Sequence, residues 1–134
     1  MKKYLLLLII PFLIFCQNND KVPKEVIQSQ GAEVEFHSEI WNFGEIKEGE
    51  IIQTFFTFEN IGTKPLIIIN AKPSCGCIAP KWSKEPILPG EHGYIQATFK
   101  SQGKPGLCNK PITLTMNSFP NTHKLRIVGK VIPF

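Results

Sequence analysis

Ile51-Ile52-Gln53-Thr54-Phe55-Phe56-Thr57-Phe58-Glu59-Asn60 carries an alternation that decides the fold. Ile52, Thr54, Phe56 and Phe58 form one largely apolar face, while Gln53, Thr57 and Glu59 point the other way. Side chains of a strand alternate with period two, so this stretch reads as a strand with one buried and one wet face. The pattern recurs in Ile95-Ala97-Phe99 against Tyr94, Gln96 and Thr98, and in Ile112-Leu114-Met116 against Thr113 and Thr115. It recurs again in Leu125-Ile127-Gly129-Val131 against Arg126 and Lys130. Leu66-Ile67-Ile68-Ile69 is apolar on both faces and reads as a central strand. Turn chemistry separates these runs: Asn60–Pro65, Leu88–Glu91, Gly103–Gly106 and Asn117–Asn121. Nothing after residue 33 sustains a helical period. One-sided strands punctuated at sandwich spacing predict an all-β, antiparallel β-sandwich of about seven strands over residues 33–134.

The start of the chain has a different character. Met1-Lys2-Lys3 is basic, residues 4–15 are almost wholly apolar, and Gln17-Asn18-Asn19-Asp20 follows at once. That order is a secretory signal peptide, and an apolar run of about 12 residues falls short of the roughly 20 that a spanning helix needs. Leu13-Ile14-Phe15-Cys16 resembles a bacterial lipobox, although the position before the cysteine is usually small and here is Phe15. The resemblance implies cleavage after residue 15 and lipidation of Cys16. Each buried methylene of an acyl chain contributes about 0.8 kcal/mol, so several chains hold a soluble domain on a bilayer. Residues 16–32 then form a lipidated N-terminus and a polar tether. The expected location is the bacterial cell envelope, periplasm-facing or at the cell surface.

Removing the leader takes Lys2 and Lys3 with it, so the formal charge falls from +4 to +2. No basic patch or run of like charges remains, which excludes an electrostatic footprint for nucleic acid. The expected partners are the membrane, through the lipid, and an envelope protein.

Several short motifs occur in a fixed order: Phe43-Gly44-Glu45-Ile46, Glu48-Gly49-Glu50, Phe56-Thr57-Phe58-Glu59-Asn60 with Gly62, and Pro65-Leu66-Ile67-Ile68. Cys75-Gly76-Cys77, Pro86-Ile87-Leu88-Pro89-Gly90-Glu91, Gly106, Asn117 and Leu125-Arg126-Ile127-Val128-Gly129 complete the series. Over roughly residues 36–132 this order resembles the bacterial domain of unknown function family 1573. It is also similar to Hydin-type and major-sperm-protein-type immunoglobulin-like domains. The resemblance implies an immunoglobulin-like sandwich and brings no established activity. Two departures stand out: Ile78 occupies a position usually held by Thr, and Cys108 lies outside the pattern.

With Cys16 assigned to lipidation, Cys75, Cys77 and Cys108 remain. In an extended chain Cys75 and Cys77 would lie about 7 Å apart at Cα, the outer limit for a disulfide. Gly76 permits the tighter turn that a bridge requires, and strained, exposed bridges are the reducible ones. Two thiolates on one loop also suit copper(I). Zinc would need Cys108 and a histidine to converge with them, and His37, His92 and His123 show no supporting spacing. The structural reading has Cys75 or Cys77 bridging Cys108, or the thiols simply buried. Spacing alone does not choose among these.

Trp41 and Trp82 read as fillers of the core or covers of a sheet edge. Phe43-Gly44 reads as a bend, and Glu45, Glu48 and Glu50 as a solvated turn. No catalytic triad order, paired carboxylates or phosphate loop is present. The sequence therefore points to a non-catalytic envelope lipoprotein, an immunoglobulin-like binding or structural module. A thiol–disulfide or copper-binding role for Cys75-Gly76-Cys77 is the alternative.

Overall fold

The computed structural model describes residues 31–134. Eight strands run in chain order: β1 (Val34–Phe36), β2 (Ile40–Lys47), β3 (Ile51–Asn60), β4 (Ile68–Pro73), β5 (Ile78–Trp82), β6 (His92–Lys100), β7 (Gly106–Met116) and β8 (Thr122–Ile132). They form two four-stranded sheets, ordered β1-β3-β6-β5 and β2-β8-β7-β4. The all-β sandwich expected from the alternation is the fold observed.

The alternating faces fall as read. Phe56, Phe58, Ile95, Ala97 and Phe99 of the first sheet meet Ile112, Leu114, Met116, Leu125, Ile127 and Val131 of the second, all buried. At about 25 cal/mol per Å² of apolar surface removed from water, this shared layer is the main force holding the sheets together. Among the described residues the two sheets share one core lying within residues 31–134, the anatomy of a segment that can fold alone.

Four expectations change. There are eight strands where about seven were expected: of the two before Ile51, β1 pairs with β3 and β2 lies in the other sheet. The pairing is not wholly antiparallel, since β2 runs parallel to β8. The register of that pair shifts by one residue at a bulge between Asn42 and Glu45, with Gly44 at φ +72° and its N–H donating to Asn42 Oδ1 at 2.9 Å. The Leu66–Ile69 run is not a central strand. β4 begins at Ile68 and forms a sheet edge, with Leu66 held by a single bridge to Ile87. Its apolarity on both faces hides an ordinary alternation: Leu66 and Ile68 are buried, while Ile67 and Ile69 point outward, 39 % and 60 % exposed. Lastly, the expected tether overlaps the domain, for Ala32 is buried and bridged to Ser118. The leader, Cys16 and the rest of the tether lie outside the described residues.

The turn after β3 explains the Asn-x-Gly motif. Asn60 is wholly buried, and its Nδ2 donates to the carbonyls of Lys64 (2.9 Å) and Ile87 (2.8 Å). Its Oδ1 accepts from Gly62 N–H at 3.0 Å, and a Cβ on Gly62 would overlap the Gly31 carbonyl. Trp41 and Trp82 sit on the edge strands β2 and β5, half-buried against the core as expected. Glu48 and Glu50 brace turns by accepting from Gly103 N–H (2.9 Å) and Lys47 N–H (3.0 Å).

Candidate functional site

Cys75-Gly76-Cys77 forms the crossing from β4 in one sheet to β5 in the other. Ser74 N–H donates to Pro111 O of β7 at 3.0 Å, and Lys100 N–H of β6 donates to Cys77 O at 2.9 Å, so each end of the turn is pinned to a different sheet. This curvature brings the cysteine Cα atoms to 5.3 Å, well inside the bridging range, and Cys75 is disulfide-bonded to Cys77. Cys77 is buried and Cys75 partly so.

Cys108 is not part of that bridge. It is a buried free thiol on β7, opposite Gly129 of β8, and its Sγ donates weakly to Ile127 O at 3.8 Å. The staple from the turn to Cys108 is therefore not made, because the turn closes on itself. Burial pushes the Cys108 thiol above its ordinary value of 9.0, and the nearby Lys110 charge opposes this. Among the described residues, no three His, Cys, Asp or Glu side chains gather into a group that could hold a metal ion.

A second region was not read from the sequence. The outward face of the first sheet carries Ile51, Gln53, Phe55 and Thr57 from β3, beside Tyr94, Gln96 and Thr98 from β6. Charged residues border them on the same face: Lys100 opposite Ile51, Lys81 opposite Gln96 and Glu59 opposite His92. Phe55 and Tyr94 are 52 % and 50 % exposed and meet edge to face, with ring centroids 5.5 Å apart. Beside them lies a cleft of about 360 Å³ lined by His37, Thr57, His92, Gly93 and Tyr94. The His37 and His92 rings are 6.0 Å apart, and His37 Nδ1 shares a 3.0 Å hydrogen bond with Thr57 Oγ1. Pairing across strands brings together residues far apart in the chain, which is why histidine spacing gave no hint. Phe55 was the available signal, an aromatic ring on an otherwise polar face.

The fold is that of an immunoglobulin-like sandwich domain, with an exposed aromatic pair on the outer face of its first sheet. The family model described as "Protein of unknown function (DUF1573)" matches residues 34–131, and the chain belongs to that family. Among solved structures, a protein of unknown function from Porphyromonas gingivalis W83 superposes with a TM-score of 0.68 at 14 % identity, covering 80 % of this chain. The chain spans 50 % of that protein's length. The human CEP192 PapD-like domain 7, an ASH/PapD-like domain, matches at TM-score 0.61 and 15 % identity, covering 83 % of this chain and 93 % of the domain. The Vibrio cholerae VesB protease matches at TM-score 0.56 and 12 % identity, over 83 % of this chain and 33 % of the protease. At such identities these likenesses establish the fold alone. No curated protein matches the chain.

Proposed function

We propose that this domain is a non-catalytic binding module, carried on the bacterial cell envelope by a lipid on Cys16, and that it engages an envelope protein through the outer face of its first sheet. The observation that carries this reading is the exposed Phe55–Tyr94 pair beside the His37–His92 cleft, with Lys81, Lys100 and Glu59 around it. Protein interfaces place aromatic residues at their centre and charges at their rim, and this patch has that composition. A photo-crosslinking residue at position 94, in cells that make the protein, should give a discrete adduct with another protein. The same residue at Lys124, exposed on the opposite sheet, should give none. Identical adducts from both positions, or none from position 94, would contradict the reading. Intact mass of the native protein tests the anchor, which requires a mature chain beginning at Cys16 with acyl mass added.

The alternative reading uses the thiols. Cys75 and Cys77 are paired across one residue and Cys75 is partly accessible, so a dithiol could reduce them, and the resulting thiol pair would suit copper(I). Replacing both with Ser should then abolish copper(I) uptake or dithiol exchange while leaving the fold intact.

A further inference from the structure

Each sheet edge is a row of backbone donors and acceptors, and folded proteins guard such rows with proline, charge or bulges. Three of the four edges here are guarded. β4 carries Lys72 and Pro73, and β5 carries Pro80 and Lys81. β2 carries the Asn42/Glu45 bulge and the charged residues Glu45 and Lys47.

The fourth edge is different. β1 pairs with β3 only from Val34↔Asn60 to Phe36↔Phe58, and His37 N–H adds one bond to Thr57 O at 3.0 Å. Beyond that point β3 has no neighbour on this side among the described residues. Backbone groups alternate sides along an antiparallel strand. Thr57 O points to the β1 side, while Asn60 N–H bonds Glu91 O and Glu50 O bonds Ser101 N–H on the β6 side. The odd-numbered residues Ile51, Gln53 and Phe55 therefore present their N–H and C=O groups outward. This stretch contains no proline, no charged residue and no bulge.

We infer that this open edge pairs, antiparallel and about a two-fold axis at Gln53, with the same edge of a second copy of the chain. In that register Gln53 faces Gln53, and Ile51 of each copy faces Phe55 of the other. Ile51 and Phe55 are 64 % and 52 % exposed in the single chain, and the pairing sets these two apolar side chains against each other on one face. No like charges oppose one another. The pairing also ends where it must: the next outward residue, Gly49, lies in the turn before β3, and its opposite number Thr57 is already bonded to His37. An isologous contact of this kind closes after two copies. The contact spans only Ile51 to Phe55 of each copy, so the dimer is weak, forming at about 0.1–1 mM in solution.

This goes beyond the partner-binding reading. The experiment is sedimentation equilibrium of residues 31–134 from about 10 µM to 1 mM. The weight-average mass should climb toward twice that of the monomer. Gln53→Pro should abolish the climb without altering the fold, because the Gln53 N–H faces no strand among the described residues. Phe55→Lys is the second variant, which places a charge against Ile51 of the other copy, and it decides the matter if the proline variant fails to fold. A wild-type chain that stays monomeric, or a folded variant that dimerises equally well, overturns the pairing. Neither result touches the crosslinking outcome at position 94, which could still succeed through a different protein.

Discussion

The two flanks of the sandwich are built on opposite plans. On one flank the edge strands β4 and β5 are joined by the Cys75–Cys77 crossing, pinned to both sheets and bordered by Pro73 and Pro80. On the other, β1 covers only the end of β3, and among the described residues the backbone groups of Ile51, Gln53 and Phe55 on that side meet no strand. Edges invite association unless they are blocked. A domain that seals one flank and leaves the other open has the form of a protein that meets its partners on one side. The cysteine turn belongs to the sealed flank, and the self-pairing inferred above uses the open one.

The largest effect should come from comparing the two sides of β3 itself. Thr54→Pro removes a bond to β6 opposite Ala97 and should cost about 3 kcal/mol, read as loss or steep lowering of the thermal transition. Asn60→Ala, at the place where β1 begins to cover β3, strips three buried hydrogen bonds. It should cost about 2–3 kcal/mol in denaturant unfolding. Reducing the Cys75–Cys77 bridge should cost about 1.5 kcal/mol, since so short a loop constrains the unfolded chain little. Its effect on amide exchange should stay near Ser74 and Ile78 and leave β3 unchanged.

Cys108 gives a smaller effect with a defined sign. Its folded-state thiol holds its proton above the ordinary value of 9.0 because burial disfavours the thiolate. Stability from this group is thus complete below about pH 9 and is lost as pH rises toward the folded-state value. The stability of wild type relative to Cys108→Ala should fall above about pH 9 and stay flat below it. Smallest of all, Gln53→Pro should change stability by no more than about 0.5 kcal/mol, because it acts on an edge amide that faces no strand among the described residues.

The sandwich was legible because a strand's period of two writes its buried face directly into the chain. Phe56 and Phe58, Ile95 through Phe99, and Leu125 through Val131 all point where the alternation places them. The parallel β2 was not legible. Its bulge at Asn42–Glu45 breaks the phase between Phe43 and Ile46, and three-residue β1 is too short to show a period. Of the site, the tight Cys-Gly-Cys turn was readable from Gly76, but the partner of each thiol was not, because it depends on how the crossing curves. The aromatic face was hidden for a different reason. His37, Thr57, His92 and Tyr94 meet only through strand pairing and the return of the chain.

The most direct test of an open flank is amide hydrogen exchange along β3 in dilute, monomeric protein. The account predicts alternation: the amides of Ile52, Thr54 and Phe56, which face β6, exchange slowly, while those of Ile51, Gln53 and Phe55 exchange rapidly. Uniform protection along Ile51–Phe56 at concentrations where the chain is monomeric would mean that the edge is already covered, and would contradict it.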